Sequence, residues 1–518
     1  MSDANGAAAS APPTGAVAAH GVGASASQFR QPLLLMLLAF VILWTAYEVI
    51  AHGAGDVHND MAEAYAWGKE LQAGYFKHPP FWAWLTYVWF QIFPVEDWSA
   101  YLFSAVNSAA GIYLVSRCAS YFLDDKRLQL VAAMLLILVP AYTFHAMKMN
   151  ANTILLSLWP GITLAFLSVM ARPRATSALL LGLLASCAML SKYNSMIFLA
   201  CVFAASLVHP DGRRFWLSRY PLLVVIGFAP LVAIHVWWLW QNDFLPFSYF
   251  GGLRGKSNLI ASRNSLLFLG AQALYVAPAI AAIAILGWHC RMTRLAFRAT
   301  PIHRVLLILA LGPPLLTALL GAALHTRTPA LWGLPNLFLL PTLALQFLQI
   351  AEVEKLQRRL TAVIWAFLLT CVAASPVIAW VKFNYGDPAS VDPRSQLARE
   401  LTGWWRATYG SPLRIVGGDS TYALAATFYS PDHPSYFISS DRRLTPWITD
   451  ARLHDSGALL ICNEIDEACE QESARMTAGL GDPKKISAVK EFLGQHGQDK
   501  NFSFFVIPPK AYPSKGAE

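Results

Sequence analysis

The chain has 518 residues, of which 56% are hydrophobic and only 14% charged. Soluble domains carry roughly 25% charged residues, so this composition excludes an ordinary soluble enzyme and calls for many segments dissolved in lipid. The net charge of +8 is scattered through short loops between apolar runs, which suits orientation in a membrane and argues against nucleic acid as a partner.

In chain order, residues 1–28 are mostly Ala, Gly, Ser and Pro and read as a disordered cytoplasmic tail. No basic region directly follows Met1, so the apolar run after the tail reads as a retained span. Residues 29–383 are predicted to be an α-helical polytopic membrane domain with eleven to thirteen transmembrane helices. Eleven runs carry that expectation: 31–51, 97–122, 127–144, 151–170, 175–190, 193–209, 219–241, 265–289, 303–324, 332–350 and 359–383. The run FWAWLTYVWFQIF at 81–93 is too short to span and reads as a helix lying in the interface. If residue 1 is cytoplasmic, the inside loops hold 15 Lys and Arg in 52 residues and the outside loops 8 in 85. That is the sense of the positive-inside rule, and it places the C-terminus outside. Residues 384–518 change character. Short β-rich runs at 413–417, 435–439, 458–462 and 502–507 alternate with polar, partly helical stretches such as 394–408 and 484–496, predicting a small periplasmic α/β domain.

The first external loop, 52–96, holds the densest polar cluster in an acid-poor chain. Asp56, Asp60 and Glu63 are spaced four and three apart, so a helix there puts them on one face, with His58 between. Such a cluster between membrane spans is costly unless it works as a site, and a carboxylate is what glycosyl transfer needs to take the acceptor's proton. The alternative is a solvated loop whose acids cap a helix or face water. The same side of the membrane collects Lys77, Lys192, Arg254, Lys256 and Arg327, which suits a phosphate leaving group beside a base, although any one of them could serve lipid headgroups. His78-Pro79-Pro80 makes a rigid entry to the aromatic helix and leaves Lys77 and His78 as phosphate candidates. Ser191-Lys192-Tyr193-Asn194 is either a tight turn with a snorkelling lysine or part of the site. No phosphate-cradling glycine motif and no metal motif is present in the sequence. Asp56, His58 and Asp60 could ligate a divalent ion, but no second external acid cluster would complete the shell, so no cofactor is expected. Cys462 and Cys469, with six residues between them in a polar segment, are compatible with a disulfide in an oxidising compartment.

The segment EAYAWGKELQAGYFKHPPFWAWL at 63–85 resembles the first external loop of the dolichyl-phosphate-mannose-protein mannosyltransferase-like superfamily. These are bacterial family-39-type glycosyltransferases of the GT-C fold, with the aminoarabinose lipid A transferases as relatives. LSKYNSMIFL at 190–199 and WLWQNDFLPFSYF at 238–250 are similar to two further motifs. The resemblance implies inverting transfer of a sugar from a polyprenyl-phosphate donor to a lipid, glycan or protein acceptor on the outer face. Glu63 matches the glutamate of the family's Asp-Glu pair; Ala62 stands in place of its aspartate, with Asp60 two positions back, so either acid can be the base. Relatives often carry an acid in the second external loop, whereas HAMKMNAN at 145–152 has none. A transporter or flippase of lipid-linked sugars is the alternative; it would use the same cations without a base.

Overall fold

The structure is a computed structural model that describes residues 25–251, 257–294, 300–387 and 391–510. Arg254, Lys256 and most of the expected tail, residues 1–24, lie outside the described residues.

The helices run in chain order as α1 (Ser25–Ala51), α2 (Asn59–Glu70), α3 (Phe81–Ile92), α4 (Asp97–Ala119), α5 (Lys126–Met134), α6 (Leu155–Ala171), α7 (Ala175–Met189), α8 (Ser195–Val208), α9 (Gly212–Trp216), α10 (Tyr220–Gln241), α11 (Leu245–Gly251), α12 (Asn258–Trp288), α13 (Pro301–Ala323), α14 (Leu340–Gln346) and α15 (Val353–Tyr385). Among the described residues five stretches are long and apolar enough to cross a membrane: Gln31–Ala51, Tyr220–Gln241, Asn258–Trp288, Pro301–Ala323 and Val353–Tyr385. The expected spans 151–170, 175–190 and 193–209 are apolar helices of 17, 15 and 14 residues. The expected span 97–122 is the 23-residue α4, which buries Ser99, Ser104, Asn107, Ser108 and Ser116 along its length.

Two expected spans are not single straight helices. The run 127–144 is bent by 74° between Lys126–Leu138 and Pro140–Lys148, because Pro140 brings no N–H and its ring cannot continue the preceding helix. The run 332–350 breaks into a 3₁₀ segment at Ala330–Leu337, then α14, then the short strand β2 (Leu348–Ile350), which pairs antiparallel with β1 (Met292–Arg294). Pro335 and Pro341 interrupt its helical ladder. The bundle closes tightly where small residues permit it. A Cβ on Gly182 of α7 would lie 2.0 Å from the Val224 carbonyl oxygen of α10, and one on Gly227 of α10 2.3 Å from that of Leu179, so the two backbones cross in direct contact.

Beyond α15 the chain builds a five-stranded sheet from β3 (Ile415–Gly418), β4 (Ser435–Ile438), β5 (Ala458–Asn463), β6 (Lys484–Ala488) and β9 (Lys500–Ile507), ordered β4-β3-β5-β9-β6. The β3–β4 and β3–β5 pairs are parallel; β9 runs antiparallel to both neighbours. Helices α16 (Arg394–Tyr409), α17 (Ser420–Tyr429), α18 (Asp450–Ser456) and α19 (Glu467–Met476) complete this layer. The stretch 484–496, expected to be partly helical, is instead the edge strand β6 and a hairpin of β7 (Glu491–Phe492) and β8 (Gln495–His496). Pairing of Ile486 with Phe502 of β9 supplies tertiary partners that its local composition does not announce. Cys462 and Cys469 are joined by a disulfide, with Cα atoms 5.7 Å apart.

Candidate functional site

The polar loop of 52–80 is organised by α2. His58 caps that helix, its Nδ1 accepting from the Asp60 amide at 3.1 Å, and Leu71 ends it in the left-handed region at φ 43°. The chain then folds back, with the Tyr75 hydroxyl donating to the Trp67 carbonyl at 2.6 Å. The Pro79-Pro80 turn feeds α3, whose first amide, Phe81, donates to the Leu190 carbonyl at 2.8 Å. That bond seats the polar loop directly on the α7–α8 turn that carries Lys192.

Asp60 and Glu63 fall on one helical face, as the spacing requires, but their surroundings differ. The Glu63 carboxylate is buried and 2.8 Å from Lys77 Nζ. Removal from water pushes its carboxyl up to about 7, against the pull of Lys77. Lys77 also lies 5.6 Å from the centre of the Trp67 ring. Asp60 is 37% exposed in its side chain and accepts from Asn150 Nδ2 at 2.7 Å. The loop 145–152, which lacks an acid, therefore reaches the site through its amides. Asn150 holds Asp60, and Asn152 Oδ1 accepts from Lys192 Nζ.

Lys192 is buried, and its ammonium lies 4.7 Å from the centre of the Trp332 ring. Burial pulls its pKa down to about 7, with Asp60 acting in the opposite sense. Its neighbour Tyr193 donates to His235 Nε2 at 2.8 Å, since His235 Nδ1 is committed to the Ala73 carbonyl at 2.7 Å. His78 is half-buried between the Trp67 and Trp82 rings. Loss of water and the neighbouring lysines push its pKa well below the usual value, so the imidazole is neutral.

The remaining candidates separate. Asp56 turns away from Asp60 and lies against the C-terminal layer, 2.7 Å from Lys490 Nζ and 3.7 Å from Arg394 Nε. Arg327 is exposed in the segment after α13. Among the described residues no three His, Cys, Asp or Glu side chains form a metal-holding group. Sequence reasoning missed Asn150, Asn152, Trp332 and His235. Of these His235 had a signal, being a polar side chain inside an apolar span.

The family model described as dolichyl-phosphate-mannose-protein mannosyltransferase matches residues 77–238, beginning at the lysine that pairs with Glu63. The lipopolysaccharide core galacturonosyltransferase RgtB of Rhizobium johnstonii is 25% identical over 363 residues, which are 66% of this chain and 70% of that one. The lipid A galacturonosyltransferase RgtD of the same organism is 25% identical over 251 residues, 48% of this chain and 52% of that one. The crystal structure of ArnT from Cupriavidus metallidurans, bound to undecaprenyl phosphate, superposes with a TM-score of 0.58 over 95% of this chain and all of that one, at 13% identity. The fold is therefore that of the GT-C membrane proteins, a helical membrane bundle with a small sheet-containing layer at its C-terminal end. The family match and the two relatives bear out the glycosyltransferase resemblance; of the segments that carry it, the family match takes in 77–85 and 190–199.

Proposed function

We propose that this protein is an integral membrane glycosyltransferase that moves a sugar from a polyprenyl-phosphate donor to a lipopolysaccharide acceptor, lipid A or core, with inversion at the anomeric carbon. The observation that carries the reading is the junction of an accessible carboxylate and a buried lysine through one loop: Asp60 through Asn150 and Lys192 through Asn152. In the reaction the acceptor hydroxyl oxygen bonds to C1 of the sugar as its proton passes to Asp60. The C1–O bond to the phosphate breaks, and its electron pair leaves with the polyprenyl phosphate, which gains one negative charge. Lys192 supports that charge. Asp60 suits the base because it is open to an incoming hydroxyl, whereas Glu63 is shut in with Lys77 and fixes that lysine beside the aromatic turn.

The relatives are named as transferases, which favours transfer over transport alone. In this reading the protein sits in the inner membrane with residue 1 on the cytoplasmic side and the α/β layer outside. The test is to incubate purified protein with a labelled polyprenyl-phosphate sugar and lipid A or core acceptors. Label bound covalently to the acceptor is expected; label that stays on the donor in every acceptor reaction would sink the proposal.

A further inference from the structure

The α/β layer touches α2, the helix of Asp60 and Glu63, at both ends and at its centre. At the start, Asp56 is sealed between Lys490 Nζ at 2.7 Å, Arg394 Nε at 3.7 Å and the Ser395 amide at 3.0 Å. The side chains of Asp56, Arg394 and Lys490 are 3%, 9% and 8% exposed. Arg394 also donates to Asn59 Oδ1 and to the Val57 carbonyl at 3.1 Å. The Tyr429 hydroxyl accepts from the Val57 amide at 2.7 Å and donates to Asp97 at 2.7 Å. At the centre, Tyr65 meets the Phe428 ring edge-on at 5.6 Å. At the end, Lys69 donates to the His433 carbonyl, and Glu70 pairs with Arg452 at 3.3 Å.

We infer that the C-terminal layer is a clamp that sets the position of α2, and that Asp56 is a positioning residue for the reaction rather than its base. The inference rests on the proposed transfer reaction for its kinetic arm only. A buried charge held by two cations and a backbone amide is fully committed and faces protein on every side, so it has no lone pair turned to a substrate. Asp56 lies two residues before His58, the N-cap of α2, and four before Asp60, so what it controls is where α2 begins. A shift of about 1 Å in a catalytic group can cost on the order of 100-fold in rate, so a grip at this point acts on chemistry without touching substrate.

The test compares wild type with Asp56→Asn, Lys490→Met and the double variant Asp56→Asn/Lys490→Met, in detergent, per folded molecule. Hydrogen exchange over residues 56–70 is the first readout, and kcat against donor KM the second. Asp56→Asn is expected to speed exchange in α2 and to lower kcat about tenfold, with donor KM moving less than about threefold. It leaves Lys490 buried without its charge partner, so adding Lys490→Met is expected to return part of the loss. Lys490→Arg, which keeps the charge, is expected to retain most of the rate. Unchanged exchange over 56–70 overturns the clamp whatever the activity. A complete loss of transfer in Asp56→Asn that Lys490→Met leaves untouched overturns the positioning role and makes Asp56 the base. If the wild type itself transfers no sugar, the functional reading fails while the exchange arm still decides the clamp.

Discussion

Asp60 and Glu63 are three positions apart on one helix, yet their neighbours assign them different chemistry. Asp60, partly open to solvent and held by Asn150, takes the proton in the proposed reaction; Glu63 is buried against Lys77. Asp60→Asn is therefore expected to lower transfer by roughly 10²- to 10⁴-fold with donor affinity kept, as measured by kcat beside donor titration. Glu63→Gln is expected to weaken donor binding and folding, because it takes away the buried carboxylate that pairs with Lys77. A rate loss in Glu63→Gln with donor binding and Tm unchanged, beside an active Asp60→Asn, would reverse the assignment. Lys192 makes a prediction about pH. Its free-state pKa of about 7 rises when an anionic phosphate arrives, so binding takes up a proton above that pH. Donor Kd should be flat below about pH 7 and weaken by up to about tenfold per unit above it. Lys192→Arg, which stays charged, should remove the slope; a slope that persists in the arginine variant would clear Lys192 of the role. At this scale the sequence showed the charged residues but not their division of labour. The pairing of Asp60 with Asn150 spans 90 positions and that of Lys192 with Asn152 spans 40, and no local pattern carries such a distance.

Among the elements, the helices that apolar runs define were legible, because lipid accepts only backbones that satisfy their own hydrogen bonds. The breaks were legible only as prolines: Pro140, Pro335 and Pro341 sit inside hydrophobic runs that hydropathy treats as continuous. The break at Ala330–Leu337 has a consequence at the site, for it sets Trp332 against Lys192. The crossing of α7 and α10 was silent in the sequence, since one glycine in an apolar helix does not say what it faces. Gly182→Ala would drive its Cβ toward the Val224 carbonyl oxygen and is expected to cost about 1–3 kcal/mol, read as a lower Tm in detergent. A Tm equal to wild type would mean that the two helices can part without cost. The misread stretch 484–496 shows the same rule in the α/β layer, where strand identity follows from β9 as a partner.

For the whole molecule, the spread of basic residues predicts an orientation of the bundle in the membrane. It is testable without activity. Of the cysteines outside the disulfide, Cys118, Cys187, Cys201 and Cys290 are buried and Cys371 is partly so, which leaves a low background for thiol labelling. Asp455→Cys, exposed on α18, should react with a membrane-impermeant maleimide in intact spheroplasts, and Arg358→Cys, exposed on α15, only after permeabilisation. The reverse pattern would invert the topology and put the α/β layer on the cytoplasmic side. What the sequence determined by itself is the membrane class, the order of the apolar elements, the α/β character of the C-terminal region and the polar loop that carries the candidate site, because hydropathy and local spacing are properties of neighbours along the chain. What only the tertiary structure decided is that Asp56 packs against the C-terminal layer, that Asn150 and Asn152 bond Asp60 and Lys192, and that the C-terminal layer contacts α2 along its length. Each of these depends on partners 40 to more than 400 residues apart, brought together by packing of the whole chain.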